Sequence, residues 1–191
     1  LDLLGDEGTF NIFVHDDGSV NSYPPNDSIC DATNLGVIPF GGQSALVPGN
    51  NFCATTEPGE PNVDACPTVS SLTCDESVWY TFTTSGNPGT ITINVNNTVG
   101  INAVINVYSV SPAGSCNFSN LTWVANRDDL LSNSVSLSIP CLPGNTQVYV
   151  QVDGLDILGD YGTFNIRVSD NGTFVGAPAN DNLCNAIPMG N

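Results

Sequence analysis

Asp153, Asp156 and Asp160 fall within eight residues, DGLDILGD, in a loop between two stretches that alternate apolar and polar side chains. Carboxylates that close together can ligate a hard divalent cation, which needs several oxygen donors, so calcium is the candidate ion. Asn26 and Asp27, or Asp128 and Asp129, could contribute further oxygens across a domain junction. The spacing is not that of an EF-hand, and no glutamate stands at the position that closes one. Turn capping is the competing role, because aspartates also accept backbone N–H bonds in tight turns.

Two tryptophans carry a different possibility. Trp79 stands between Val78 and Tyr80 in an alternating stretch and therefore points to the face opposite those two, while Trp123 lies in LTWVA. Exposed, the pair would stack on sugar rings and make a glycan-binding site. Buried, they would fill a core, which is the commoner fate of aromatic residues. Glu57, Glu60, Asp64, Asp75, Glu76, Asp128 and Asp129 are the acids from which a glycosidase pair could be drawn. Most of them sit in Pro-, Gly- and Cys-rich loops, where the ordinary role is a solvated charge.

The seven cysteines make sense only with a repeat. LDLLGDEGTFNIFV (Leu1–Val14) recurs as LDILGDYGTFNIRV (Leu155–Val168), identical at eleven of fourteen positions. Asn26, Asp27, Cys30 and Gly36 recur as Asn180, Asp181, Cys184 and Gly190, all at an offset of 154 residues. Such a length is that of a domain, far beyond the 20–50-residue period of a solenoid. The expected organisation follows: 1–16 as the last strand or strands of a preceding copy, 17–25 a linker, 26–169 one complete copy, 170–179 a linker, and 180–191 the start of the next. One copy then holds six cysteines, Cys30, Cys53, Cys66, Cys74, Cys116 and Cys141, an even number that suits a closed disulfide set and an oxidising extracellular compartment. No zinc-type spacing is present. The connectivity stays open; the expected pairs are Cys66–Cys74, Cys116–Cys141 and Cys30–Cys53. The same repeat argues against shared Ser/His or Cys/His catalysis, since His15 is the only histidine and its counterpart is Ser169. No enzymatic activity is expected.

Charge narrows the partners. Two arginines, no lysine and nineteen acids give a formal charge of −17, which excludes ordinary nucleic-acid backbone binding and docking on anionic lipid through a basic face. Such a surface gathers divalent cations and repels its own copies. No apolar run reaches the ~18 residues of a membrane span, so no membrane insertion is expected. A signal peptide, if one exists, is expected outside this stretch of sequence.

The elements that must position these residues are strands. Val78–Thr84, Thr90–Val95, Asn102–Val110, Ser134–Ile139, Thr146–Val152 and Gly162–Val168 alternate with period two, and Gly/Pro/Asn turns separate them. No amphipathic helix stands out. Many short strands between such turns predict an all-β fold, an antiparallel sandwich of jelly-roll type, repeated in tandem. A copy of about 144 residues is long enough to bury roughly 70% of its unfolded surface. Short linkers containing Pro24-Pro25 or Pro178 predict a semi-rigid string of domains.

NDxxCxA (Asn26, Asp27, Cys30, Ala32), VWYTF (Val78–Phe82), INVYS (Ile105–Ser109) and the closing PGNTQVYVQVDGLDILGDYGTFNIRV (Pro143–Val168) resemble the bacterial pre-peptidase C-terminal domain and its relatives. Similar domains recur in tandem in very large Bacteroidota surface proteins exported by type IX secretion, including gliding adhesins and surface filaments. The resemblance implies a β-sandwich accessory module without catalysis of its own. It further implies calcium at the Asn26-Asp27 region in some relatives, although VWYTF replaces their acidic strand start, and polymer or glycan binding in others. Asp27-Ser28-Ile29 resembles an O-glycosylation acceptor of that phylum. The expected function is therefore a structural repeat of an extracellular filament or giant adhesin, spacing and presenting other domains. Its partners would be neighbouring repeats, parallel copies in a homo-oligomeric fibre, or cell-surface glycans; a carbohydrate-binding accessory module is the alternative.

Overall fold

The computed structural model describes residues 23–61, 76–129, 132–155 and 161–173. Nine strands form there: β1 (Thr33–Ile38), β2 (Val47–Asn50), β3 (Val78–Thr84), β4 (Ile91–Val99), β5 (Ala103–Val110), β6 (Leu121–Asp128), β7 (Ser134–Ile139), β8 (Gln147–Gly154) and β9 (Thr163–Asp170). Single 3-10 turns at Ile29–Asp31 and Phe118–Asn120 precede β1 and β6, each opened by a side chain, Ser28 or Asn117, that accepts a backbone N–H. One sheet runs β1-β3-β8-β5-β6 and the other β2-β9-β4-β7. The chain is an all-β sandwich.

Alternation explains the packing. Ile91, Ile93 and Val95 of β4, Val135, Leu137 and Ile139 of β7, and Phe164, Ile166 and Val168 of β9 all face inward, against Val78, Tyr80, Phe82, Val148, Val150 and Val152 of the other sheet. The intervening serines, threonines and asparagines face out. Each fully buried aliphatic side chain contributes roughly 1.5–3 kcal/mol by leaving water. Gly49 is needed where β2 crosses this core, because a Cβ there would run into Tyr80 Oη and the Phe164 ring. One pairing departs from the antiparallel expectation: β1 lies parallel to β3, with Thr33 opposite Tyr80 and Ile38 opposite Thr84. The chain reaches β3 from β1 through β2, in the other sheet, and so can return in the same direction.

Register defines two poles. Asn50 and Val99 both meet Thr163, Val78 meets Val152, and Ala103 meets Gly154 at one end. Ile91 meets Asp170 and Thr83 meets Gln147 at the other. The chain arrives at the first, or amino, pole, where Asn26 O accepts from Trp79 N at 2.8 Å. It departs from the second, or carboxyl, pole, where Asn171 N donates to Thr90 O at 3.1 Å.

The disulfide differs from expectation. Cys30 bonds Cys116 across 86 residues, whereas Cys53 and Cys141 are free and exposed. Residues 111–120 fold back over the outer face of the five-stranded sheet and meet the 3-10 turn that holds Cys30. Cys53 follows β2 at the amino pole and Cys141 follows β7 at the carboxyl pole, so neither reaches its expected partner. Cys66 and Cys74 lie outside the described residues, as do the expected preceding and following copies.

Candidate functional site

The outer face of the five-stranded sheet is where the sequence candidates meet, and it is covered. Trp79 projects there, as its alternation predicts, but it is wholly buried. Its indole lies 5.9 Å from the Tyr108 ring, 5.8 Å from Phe118 and 6.4 Å from Tyr149, and Ile29 and Val110 complete the cluster. The Cys30–Cys116 bond ties together the two turns that form this cover. Trp79 therefore belongs to a second core and offers nothing to a sugar. Trp123 is half-exposed, at 51%, on the edge strand β6 opposite Tyr108. It is the member of the pair that a ligand can reach.

Beside this aromatic cluster lies a polar network. The Glu60 carboxylate accepts from Gln151 Nε2 at 2.6 Å, from Glu57 N at 2.8 Å and from Ser77 Oγ. Gln151 Oε1 accepts in turn from Asn106 Nδ2 at 3.2 Å and Tyr108 Oη at 3.3 Å. Ser77, Asn106, Tyr108 and Gln151 are all buried. Glu57 accepts from Ser28 Oγ at 3.0 Å and Ile29 N at 2.7 Å, so the two glutamates fasten the Glu57–Pro61 segment and the arriving chain to the sheet. Composition suggested solvated charges for these loop acids. Glu60 is instead drawn into the network because Gln151 on the sheet and Ser77, just before β3, need an acceptor once they are covered.

Burial pushes the Glu60 carboxyl above its ordinary value of 4.5, while the donors from Ser77, Glu57 and Gln151 oppose the shift. The Tyr108 hydroxyl is also pushed up, first by burial and then by the Glu60 charge. A carboxyl that binds its proton more tightly in the folded than in the unfolded state makes stability fall as pH rises. Its contribution is complete below about pH 4.5 and is lost as pH passes through the folded value. Glu60→Gln should flatten this part of the melting curve against pH. An unchanged slope would assign the pH dependence to other carboxyls.

The calcium candidates among the described residues are each bonded to protein groups. Asp27 spends both oxygens on Thr55, accepting from its backbone N at 2.6 Å and its hydroxyl at 2.8 Å. Asn26 is buried and donates to Trp79 O at 2.9 Å. Asp153 is wholly buried near the end of β8, with Oδ1 accepting from Gly154 N at 2.7 Å. Asp129 pairs with Arg127 at 2.7 Å. Among the described residues, no group of three His, Cys, Asp or Glu side chains converges to hold a metal. Asp156 and Asp160 lie outside the described residues. Turn capping accounts for an aspartate that the sequence reading passed over: Asp170 is buried and accepts from Gly89 N at 2.8 Å, Gly172 N at 2.8 Å and Gly41 N at 3.3 Å. Its signal was the recurrence of Asp-x-Gly at Asp16–Gly18 and Asp170–Gly172.

No family model and no curated protein matches the chain. Solved structures with a similar course include the surface-associated copper-binding protein CorA of Methylomicrobium album BG8, at 10% identity and TM-score 0.47 over 73% of this chain and 98% of that one. The periplasmic g-type lysozyme inhibitor PliG of Aeromonas hydrophila aligns at 17% identity and TM-score 0.36 over 73% and 96%. A family 6 carbohydrate-binding module aligns at 19% identity and TM-score 0.28 over 49% and 66%. At these scores none of them transfers a ligand to this chain.

Proposed function

We propose that this β-sandwich is a non-catalytic spacer, one repeat of an extracellular tandem array that extends and presents other domains. The observation that carries this reading is that Asn26 and Asn171, which bound the sandwich, sit at opposite poles. Copies joined in that way add length with every repeat, whereas a domain whose ends share a pole would hang beside the chain axis. The disulfide supports an oxidising compartment. The resemblance to tandem surface domains of type IX-secreted proteins agrees with both points. The Glu60 carboxylate of the outer face is spent on internal hydrogen bonds, as a spacer allows.

Trp123 favours the second reading, a glycan- or polymer-binding module, because it is a large aromatic residue left half-exposed on an edge strand. A screen of the chain against a glycan array and insoluble polysaccharides separates the two. A spacer gives no saturable binding, and Trp123→Ala changes stability by less than about 0.5 kcal/mol. Saturable binding abolished by Trp123→Ala would replace the spacer reading with the binding one.

A further inference from the structure

We propose that successive copies dock pole to pole and are stapled by a disulfide between Cys141 of one copy and Cys53 of the next; the proposal rests on the tandem-spacer reading. The two thiols cannot pair within a copy. They lie at opposite poles, separated by roughly the length of β4, nine residues or about 30 Å, while a disulfide needs its Cα atoms within ~7 Å.

Each thiol lies beside an apolar feature that suits the other pole. At the amino pole Cys53 follows Phe52, whose exposed ring meets exposed Tyr161 at a tilt with centroids 5.6 Å apart, near exposed Val99. At the carboxyl pole an open hollow has Phe40, Ser85, Gly86 and Asn87 among its lining residues. Gly144, three residues after Cys141, packs directly on the Gly86 carbonyl. The hollow and Cys141 therefore share one rim, as Phe52 and Cys53 share the other.

The tether brings the two rims together. The departing chain passes the hollow, since Gly41, next to Phe40, lies against Gly172. The arriving chain passes the aromatic pair, since Asp27 bonds Thr55, two residues after Cys53. Residues 171–179 separate Asp170 from Asn180, the repeat image of Asn26. The ten steps from Asp170 to Asn180 span at most about 36 Å, which keeps the next amino pole within reach of this carboxyl pole. Seating Phe52 in the hollow then sets Cys53 against Cys141.

The step is thiol–disulfide exchange with an external low-molecular-weight disulfide such as oxidised glutathione. One cysteine thiolate attacks it and releases one reduced thiol. The facing cysteine displaces the second, forming the Sγ–Sγ bond and passing its proton to the departing thiolate.

The full chain carrying Cys184→Ser tests this, oxidised with glutathione disulfide at ~0.15 M salt to screen the acidic surfaces. Head-to-tail pairing predicts a ladder of oligomers that reductant collapses. Cys53→Ser and Cys141→Ser should each remain monomeric, and an equimolar mixture of the two should stop at the dimer. Mapping should recover the Cys53 peptide joined to the Cys141 peptide, and Phe52→Ala should slow dimer formation at least about tenfold. A ladder in either single variant, a monomeric mixture, a Phe52-independent rate, or a bond from Cys53 or Cys141 to Cys66 or Cys74 overturns the proposal. The glycan screen uses no thiol, so a failure of the spacer reading shows up separately.

Discussion

Pulled between residues 23 and 173, the oxidised domain should lengthen by about 300 Å less than the same domain after reduction. Cys30 and Cys116 enclose 86 residues of sequence separation, worth about 3.3–3.6 Å each when extended. Strands β1 to β5 lie inside that covalent loop. Tension arriving at Cys30 crosses to Cys116 without extending them, so only β6 to β9 can be drawn out. The first resistance should be high. β9 is bonded on both sides, to β2 and β4, and ladder bonds run perpendicular to antiparallel strands. A pull along the pole axis loads these bonds together in shear. Single-molecule force spectroscopy with and without reductant reads both quantities. Equal contour lengths in the two states, or unfolding without a distinct rupture, would contradict this account of how the domain carries load.

Trp79→Ala should cost about 3–5 kcal/mol in urea unfolding, the range for truncating a large buried aromatic residue. The side chain is wholly buried and touches three rings contributed by β5, β8 and the turn before β6. Its removal leaves a cavity that cannot readily collapse, because the turns above it are held by the Cys30–Cys116 bond. Against the near-neutral change expected of Trp123→Ala, the two tryptophans should differ severalfold in their effect. A Trp79→Ala cost below about 1 kcal/mol would mean that the outer-face cluster is not a core.

Strands that bury one face were legible. Ser134–Ile139 alternates without exception, and β7 occupies those residues with every second side chain inside. β1 and β2 were missed because TNLGVI and VPGN carry no such alternation. As sheet edges they need little burial, and Pro48 is tolerated there because an edge strand can spare a ladder donor. β5 is buried on both faces, and its alternation is kept only by Asn106 and Tyr108, which look solvent-facing in sequence. The cover over them comes from Glu57–Pro61 and the fold-back at 111–120, long-range contacts that no local pattern records. The disulfide was misassigned for the same reason: nearness in sequence is a poor guide when a loop reverses across a sheet.

Strand order also sets the timing of folding. Among the described residues β2 pairs only with β9, so a strand made early waits for a late one before its sheet closes. Contacts of such long sequence separation form slowly. While the slot between β2 and β4 stands open, its occupant is chosen by sequence, and Thr9–Asp16 repeats much of Thr163–Asp170. In the tandem array proposed above, the earlier strand would already be present when a later slot opens. Correct pairing of such copies would be a kinetic contest between neighbours, favouring domains made quickly and one at a time.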